Sequence, residues 1–331
     1  MGSEVFRLSY REKSERKPNR GWQVFAFVVG AIVAGGIAGS ALADDTSDAR
    51  VTITPRMPLG QETRHQNSGT IRLDVKVVLI PVTVSDPWDR PITGLHKEDF
   101  HLFEDNVEQQ IVYLSGEEAP ASVGLIFDAS GSMRDKIETS VAAVDQFFRT
   151  TLPGDEFLLV RFSDHPRLIT GFTDDIDEIS GLLHSVRAGG WTALHDAIYL
   201  GVQKMKKAKN SRRALLILSD GGDNNSRYSA AEIRDLVREA DVRVYSVGLM
   251  QSSRFLERIS NETGGRLIRV HKLEELPEAI EKLSRDLRSQ YVLGYYSSNL
   301  QNDGKYRKVR VVVNQPTVHA SWRRGYYAPV E

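Results

Sequence analysis

The chain has 331 residues, with 43 Lys and Arg against 44 Asp and Glu, and it has no Cys. That length suits two compact units plus an accessory segment, and the missing Cys excludes disulfides, thiol nucleophiles and thiolate metal sites. A 40% hydrophobic and 26% charged composition, with 26 Gly and 12 Pro, excludes a disordered or fibrous chain.

Charge is distributed unevenly. Residues 1–43 hold six basic and three acidic side chains, leaving 37 basic and 41 acidic ones beyond them. A mildly acidic body gives no electrostatic footprint for nucleic acid. Val24–Ala43 carries Ser40 as its only polar side chain, and Ala41-Leu42-Ala43 supplies the small-x-small pattern of a signal-peptidase site. The stretch is also about long enough to span a bilayer. It reads as a signal peptide cleaved after Ala43 or as an uncleaved anchor, and membrane contact is expected through this segment alone. Both readings export the remainder, as a periplasmic, secreted or inner-membrane-anchored protein facing outward.

Residues 44–70 are polar and aperiodic, as in a linker. Residues 71–118 are β-rich: Ile71–Val84, Phe100–Phe103 and Gln110–Leu114 read as strands, with turn-like Asp86–Arg90 between. Residues 119–290 then alternate apolar strands with amphipathic helices. Ser122–Phe127 is followed by Ile137, Val141, Val144 and Phe148 at helical spacing, and Phe157–Phe162 and Arg167–Phe172 by Ile176, Ile179, Leu183 and Val186. Leu194, Ile198, Val202 and Met205 mark another helix, and Ala214–Leu218 another strand. Ser229-Ala230-Ala231-Glu232 is a capping box, Val242–Leu249 a strand, Phe255–Ile259 a short helix stopped near Gly264-Gly265, and Pro277 opens the last helix. The basic run Lys204–Arg213 reads as a solvated helix end. Residues 291–329 return to strands around Asn302-Asp303-Gly304.

Continuous apolar strands separated by amphipathic helices predict an α/β domain with a doubly wound, mostly parallel sheet. Few short strands stand alone, so the two β-rich flanks are expected to pair into a small β-sandwich in which the α/β domain is inserted; two separate β-units are the rival arrangement.

In such sheets ligands sit beyond the carboxyl ends of the strands. There the chain places Asp128-Ala129-Ser130-Gly131-Ser132, a carboxylate and two hydroxyls at alternate positions. Gly131 allows a tight turn. Ser219-Asp220-Gly221-Gly222-Asp223-Asn224 puts a second carboxylate at another strand end, and Gly189-Gly190-Trp191-Thr192 adds a hydroxyl between them. All five candidate donors, Asp128, Ser130, Ser132, Thr192 and Asp220, are oxygens. They suit Mg²⁺ or Mn²⁺, with Ca²⁺ as a further hard cation. The three loops contain no Lys or Arg, and Arg134 lies just after the first. Either motif alone also fits an ordinary helix cap or strand exit.

Phe127–Ser132 (FDASGS), Gly189–Asp196 (GGWTALHD) and Leu218–Asn224 (LSDGGDN) resemble, in order, the three loops of the metal-ion-dependent adhesion site of von Willebrand factor A domains. The resemblance implies Ser130, Ser132 and Thr192 as direct ligands, Asp128 and Asp220 bound directly or through water, and a protein partner whose carboxylate completes the shell. Over about residues 70–329 the chain also resembles the bacterial von Willebrand factor A-related proteins of the acidobacterial type, through Val82–Val84, Gly94–Phe103, Arg212–Asp220, Gln290–Tyr295 and Gly325–Pro329. Trp191 departs from the shortest form of its loop, where its ring would crowd the ion or contact the partner; Trp191 and Asn224 are candidate partner-binding residues. A non-catalytic binding module is the expectation. A Mg²⁺-dependent hydrolase of phosphate esters and a scaffold with an unoccupied metal site compete with it.

Overall fold

The computed structural model describes residues 77–250 and 253–330. Val24–Ala43 and the linker therefore lie outside the described residues. Within residues 77–330, no helix is long and apolar enough to cross a membrane among the described residues.

The α/β unit is built on six strands: β5 (Ala121–Asp128), β6 (Glu156–Phe162), β7 (Pro166–Thr173), β8 (Arg212–Ser219), β9 (Arg243–Leu249) and β10 (Leu267–Val270), in the spatial order β10-β9-β8-β5-β6-β7. Every neighbouring pair is parallel except β6 and β7, a hairpin that leaves β7 as an antiparallel edge. Strand residues alternate between two cores, as the two-residue period of a strand requires. Phe157 and Leu159 of β6 point into one, with α1 (Ile137–Phe148), α2 (Ile176–His184) and α6 (Leu276–Arg288). Leu158, Val160 and Phe162 point into the other, with α3 (Leu194–Met205), α4 (Ala230–Glu239) and α5 (Arg254–Thr263). Both faces are thus covered, which is why these strands read as nearly continuous apolar runs.

Local chemistry sets several helix ends. The Ser229 hydroxyl accepts the Glu232 N–H while the Glu232 carboxylate accepts the Ser229 N–H, completing the expected capping box of α4. Gly264 closes α5 in the left-handed conformation at φ 81°.

The flanking strands pair with each other. One sheet has the order β13-β1-β11-β4 and the other β14-β12-β2-β3, where β1–β4 (Val77–Ser85, Phe100–Glu104, Val107–Gln109, Ile111–Ser115) precede the α/β unit and β11–β14 (Gln290–Tyr296, Tyr306–Val313, His319–Trp322, Gly325–Tyr327) follow it. Val82 lies opposite Tyr291 and Leu102 opposite Val311. Ile80, Val82, Leu102, Leu293, Tyr295 and Val311 form one core from both sheets. Asp105 and Asn106, both at positive φ (46° and 70°), make the two-residue turn joining β2 to β3.

Arginines join the sandwich strands to the amino end of the parallel sheet. The Arg243 guanidinium donates to Thr83 Oγ1 at 3.0 Å and to the Pro81 carbonyl. Arg212 donates to the carbonyls of Arg288, Glu117 and Gln290. The basic run ending at Arg213 is therefore not solvated throughout: Arg212 opens β8 and is buried, because the sandwich strands close over that end of the strand.

Candidate functional site

β5 and β8 are adjacent and in register, with Phe127 opposite Leu218. Their carboxyl ends therefore bring Asp128 beside Ser219 and Asp220. The chain leaves β5 toward β6 on one side while β8 lies on the other, so this is the switch point at which doubly wound sheets open a crevice.

Asp128 is fully buried. Its Oδ1 accepts the Ser130 N–H at 2.8 Å, and its Oδ2 accepts the Ser219 hydroxyl at 2.6 Å. Burial pushes its pKa above the ordinary carboxylate value and the negative charge of Asp220 adds to the rise, against the hydrogen bonds from Ser219 and Ser130. Ser130 Oγ lies 3.1 Å from Ser132 Oγ, and the Ser132 hydroxyl donates to Asp220 Oδ1 at 2.8 Å. Four of the five expected residues thus lie on one hydrogen-bonded path.

Thr192 reaches the same place by its backbone. The Gly131 N–H donates to the Gly190 carbonyl at 3.0 Å and the Gly189 N–H to the Ala129 carbonyl at 2.9 Å, locking this loop to the first. The Thr192 N–H donates to Asn224 Oδ1 at 2.8 Å, and its carbonyl accepts from the N–H groups of Asn224 and Asn225, locking it to the third. Thr192 is buried, and among the described residues no hydrogen bond joins its hydroxyl to the other four donors. Gly131 is not at positive φ. Its small size serves the approach of the second loop, since a Cβ there would lie 3.3 Å from the Gly190 carbonyl oxygen.

Side chains beyond the expected set hold these loops. Asp164, just after β6, accepts the Trp191 N–H at 2.7 Å. Gly190 has φ +87°, and a Cβ on it would stand 2.6 Å from Asp164 Oδ2. Buried Asp196 accepts from the N–H groups of Arg227 and Tyr228 and from Arg227 Nε. Asp223 accepts the His195 N–H at 3.1 Å and the Ser226 hydroxyl. Asp164 and Asp223 follow strand ends, so the reasoning that singled out Asp128 and Asp220 applies to them as well. Lys136 is the cation of the site, where Arg134 had been the nearest basic residue to the first loop: its Nζ donates to Asp220 Oδ2 at 2.5 Å and to the Ser132 carbonyl at 2.7 Å. Trp191 is 65% exposed beside the site. Asn224 is exposed as a residue, yet its side-chain carbonyl is engaged by Thr192.

No group of three or more His, Cys, Asp or Glu side chains gathers to hold a metal among the described residues. A cation at this site therefore depends on hydroxyls as much as on carboxylates, a donor set for a hard ion. The residues fit one: two nearby carboxylates, one of them fully buried, repel each other, and the Lys136 ammonium is paired with Asp220 alone of the two.

A doubly wound α/β domain with oxygen donors gathered at its central strand ends defines the class. Residues 123–222 match the family model of the von Willebrand factor type A domain. The inter-alpha-trypsin inhibitor heavy chain H4 of Bos taurus is 28% identical over 171 residues, covering 46% of this chain and 19% of that protein. This chain thus spans about a fifth of the length of that relative. An uncharacterised protein of Borreliella burgdorferi is 22% identical over 212 residues, 54% of this chain and 61% of its own length. Among solved structures, a von Willebrand factor type A protein from Catenulispora acidiphila aligns with a TM-score of 0.48 at 13% identity, covering 70% of this chain and 73% of that one.

Proposed function

We propose that the loops at the carboxyl ends of β5 and β8 bind one divalent cation and offer it to an acidic side chain of a protein partner, in an exported module that breaks no bond. Asp128, Ser130, Ser132, Thr192 and Asp220 are the proposed ligands and Mg²⁺ the preferred ion, with Mn²⁺ or Ca²⁺ as substitutes. The observation that carries this reading is the path Ser219–Asp128–Ser130–Ser132–Asp220, which brings two carboxylates and three hydroxyls together at two neighbouring strand ends. Domains of this type generally bind protein partners without catalysis.

When bound, the ion would supply an electrophilic centre with a position for an outside carboxylate. The chain's own residues do the rest. Asp128 and Asp220 offset the cation's charge, while the three hydroxyls are neutral and leave it attractive to an anion. The interlocked loops fix the donors before any partner arrives, which lowers the ordering cost of binding. Trp191 offers exposed apolar surface beside the ion for selectivity that a lone carboxylate lacks.

The test is thermal. With Mg²⁺ or Mn²⁺ at a hundredfold excess over Kd, stability rises by about 2.7 kcal/mol, or about 5–10 °C in Tm for a domain of this size. Asp128→Ala removes the shift, and equal shifts in both proteins would dismiss this site. Phosphate and carboxylate esters are expected to survive incubation with the Mg²⁺-loaded protein; turnover abolished by Asp220→Ala would make the site hydrolytic instead.

A further inference from the structure

Lys136 stands where the local rules of helix formation oppose it. It occupies the N-cap position of α1 with a helical backbone (φ −114°, ψ −15°), and its side chain makes no capping hydrogen bond. Ser, Thr, Asp or Asn at that position would satisfy free helix N–H groups, and a cation there faces the positive end of the helix dipole. Its side chain is nonetheless only 18% exposed and is tied at both ends of a short path, to Asp220 Oδ2 at 2.5 Å and to the Ser132 carbonyl at 2.7 Å. A residue that breaks a local rule and is then closely held is held for something beyond the helix.

Asp220 explains what. Its Oδ1 takes the Ser132 hydroxyl and its Oδ2 takes Lys136, while both oxygens of Asp128 are engaged by Ser219 and Ser130. Every carboxylate oxygen of the proposed ligand set therefore has a partner from the chain itself. Two carboxylates carry two negative charges, and the ammonium returns one. A divalent cation entering this set must share Asp220 with Lys136 and lie close to a like charge in a partly desolvated pocket, where Coulomb repulsion is poorly screened.

We propose that Lys136 is a tethered cation that competes with the divalent ion for Asp220. It ties the first loop to the third in the metal-free protein and sets the metal affinity low, so that occupancy follows the free concentration of an abundant cation. This inference rests on the metal-binding reading above.

The experiment is a calorimetric titration of Mn²⁺ into the wild type, Lys136→Met and Lys136→Gln, with Tm measured for each in chelator. Met keeps the apolar stem, and Gln keeps a donor without charge. Both variants are expected to bind Mn²⁺ about tenfold or more tightly than the wild type, while their metal-free Tm falls because Asp220 loses its counter-charge. Those opposite signs separate competition from a purely structural lysine, whose removal would lower Tm and weaken Mn²⁺ together. Mn²⁺ bound by the variants and not by the wild type would support the strongest form of the competition. Equal or weaker Mn²⁺ binding in both variants would overturn the role of Lys136 and leave the metal site standing. No Mn²⁺ binding in any of the three proteins would overturn the metal site itself, and this inference with it.

Discussion

Gly190→Ala tests whether the second loop is held in place by the contacts described. Gly190 sits at φ +87°, and its missing Cβ would lie 2.6 Å and 2.7 Å from the two carboxylate oxygens of Asp164. An L side chain in the left-handed region costs about 1–2 kcal/mol. The added methyl also expels the Asp164 carboxylate from its 2.7 Å contact with the Trp191 N–H, and a hydrogen bond to a charged group is worth about 1.5–3 kcal/mol. Because Trp191 is exposed, water recovers part of that loss, so the sum is placed at about 2–4 kcal/mol. Urea denaturation measures it, with Gly189→Ala as the internal control. A Cβ on Gly189 meets nothing within 4 Å, and that change should stay within about 0.5 kcal/mol of wild type. Equal effects at the two neighbouring glycines would refute the reasoning.

Asp155 has a fully buried side chain, receives Arg288 at 3.1 Å and 2.7 Å, and accepts the N–H groups of Ala121 and Leu152. Asp155→Ala strands the Arg288 charge and is expected to cost about 3–5 kcal/mol in urea denaturation; a loss below about 1 kcal/mol would show the pair to be dispensable. For Asp286, burial raises the pKa above 3.8 against the nearby Arg266. The folded state therefore binds this proton more tightly than the unfolded one, and the group's contribution to stability falls as pH rises through its folded pKa. The stability of wild type relative to Asp286→Asn should accordingly decline as pH rises above the ordinary carboxylate range, and a flat difference would contradict the direction of the shift.

Much of this architecture is visible in the residue pattern because burial on both faces leaves a plain mark. β5 and β8 contain the apolar runs Val123–Phe127 and Ala214–Leu218, and the polar residues that end them at Asp128 and Ser219-Asp220 fall where the sheet opens. The pairing of the flanking strands follows from a weaker argument, that a few short strands cannot make a core alone, and the Val82–Tyr291 register shows how they satisfy it. What the pattern hides depends on distance in sequence. Arg212 belongs to a basic run of the kind that usually faces water, and only the closure of the sandwich strands over the start of β8 buries it. Lys136 lies one turn beyond the first loop at a helix start, and nothing local announces that it reaches Asp220, 84 residues away. Asn224 stands in the sequence as a candidate partner-binding residue, and nothing local announces that its side-chain carbonyl oxygen takes the Thr192 N–H. Asp164 and Asp223 carried a signal, their position after strands, but their targets are backbone N–H groups that no residue type reveals.

The central claim is that oxygens from three loops share one cation, and Mn²⁺ anomalous diffraction from crystals of the protein tests it most directly. A single peak is expected between Asp128 and Asp220, within about 2.0–2.6 Å of the hydroxyls of Ser130, Ser132 and Thr192, and it should vanish in Asp128→Ala. Mn²⁺ bound elsewhere with this pocket empty of signal, or a peak that Asp128→Ala leaves in place, would contradict it.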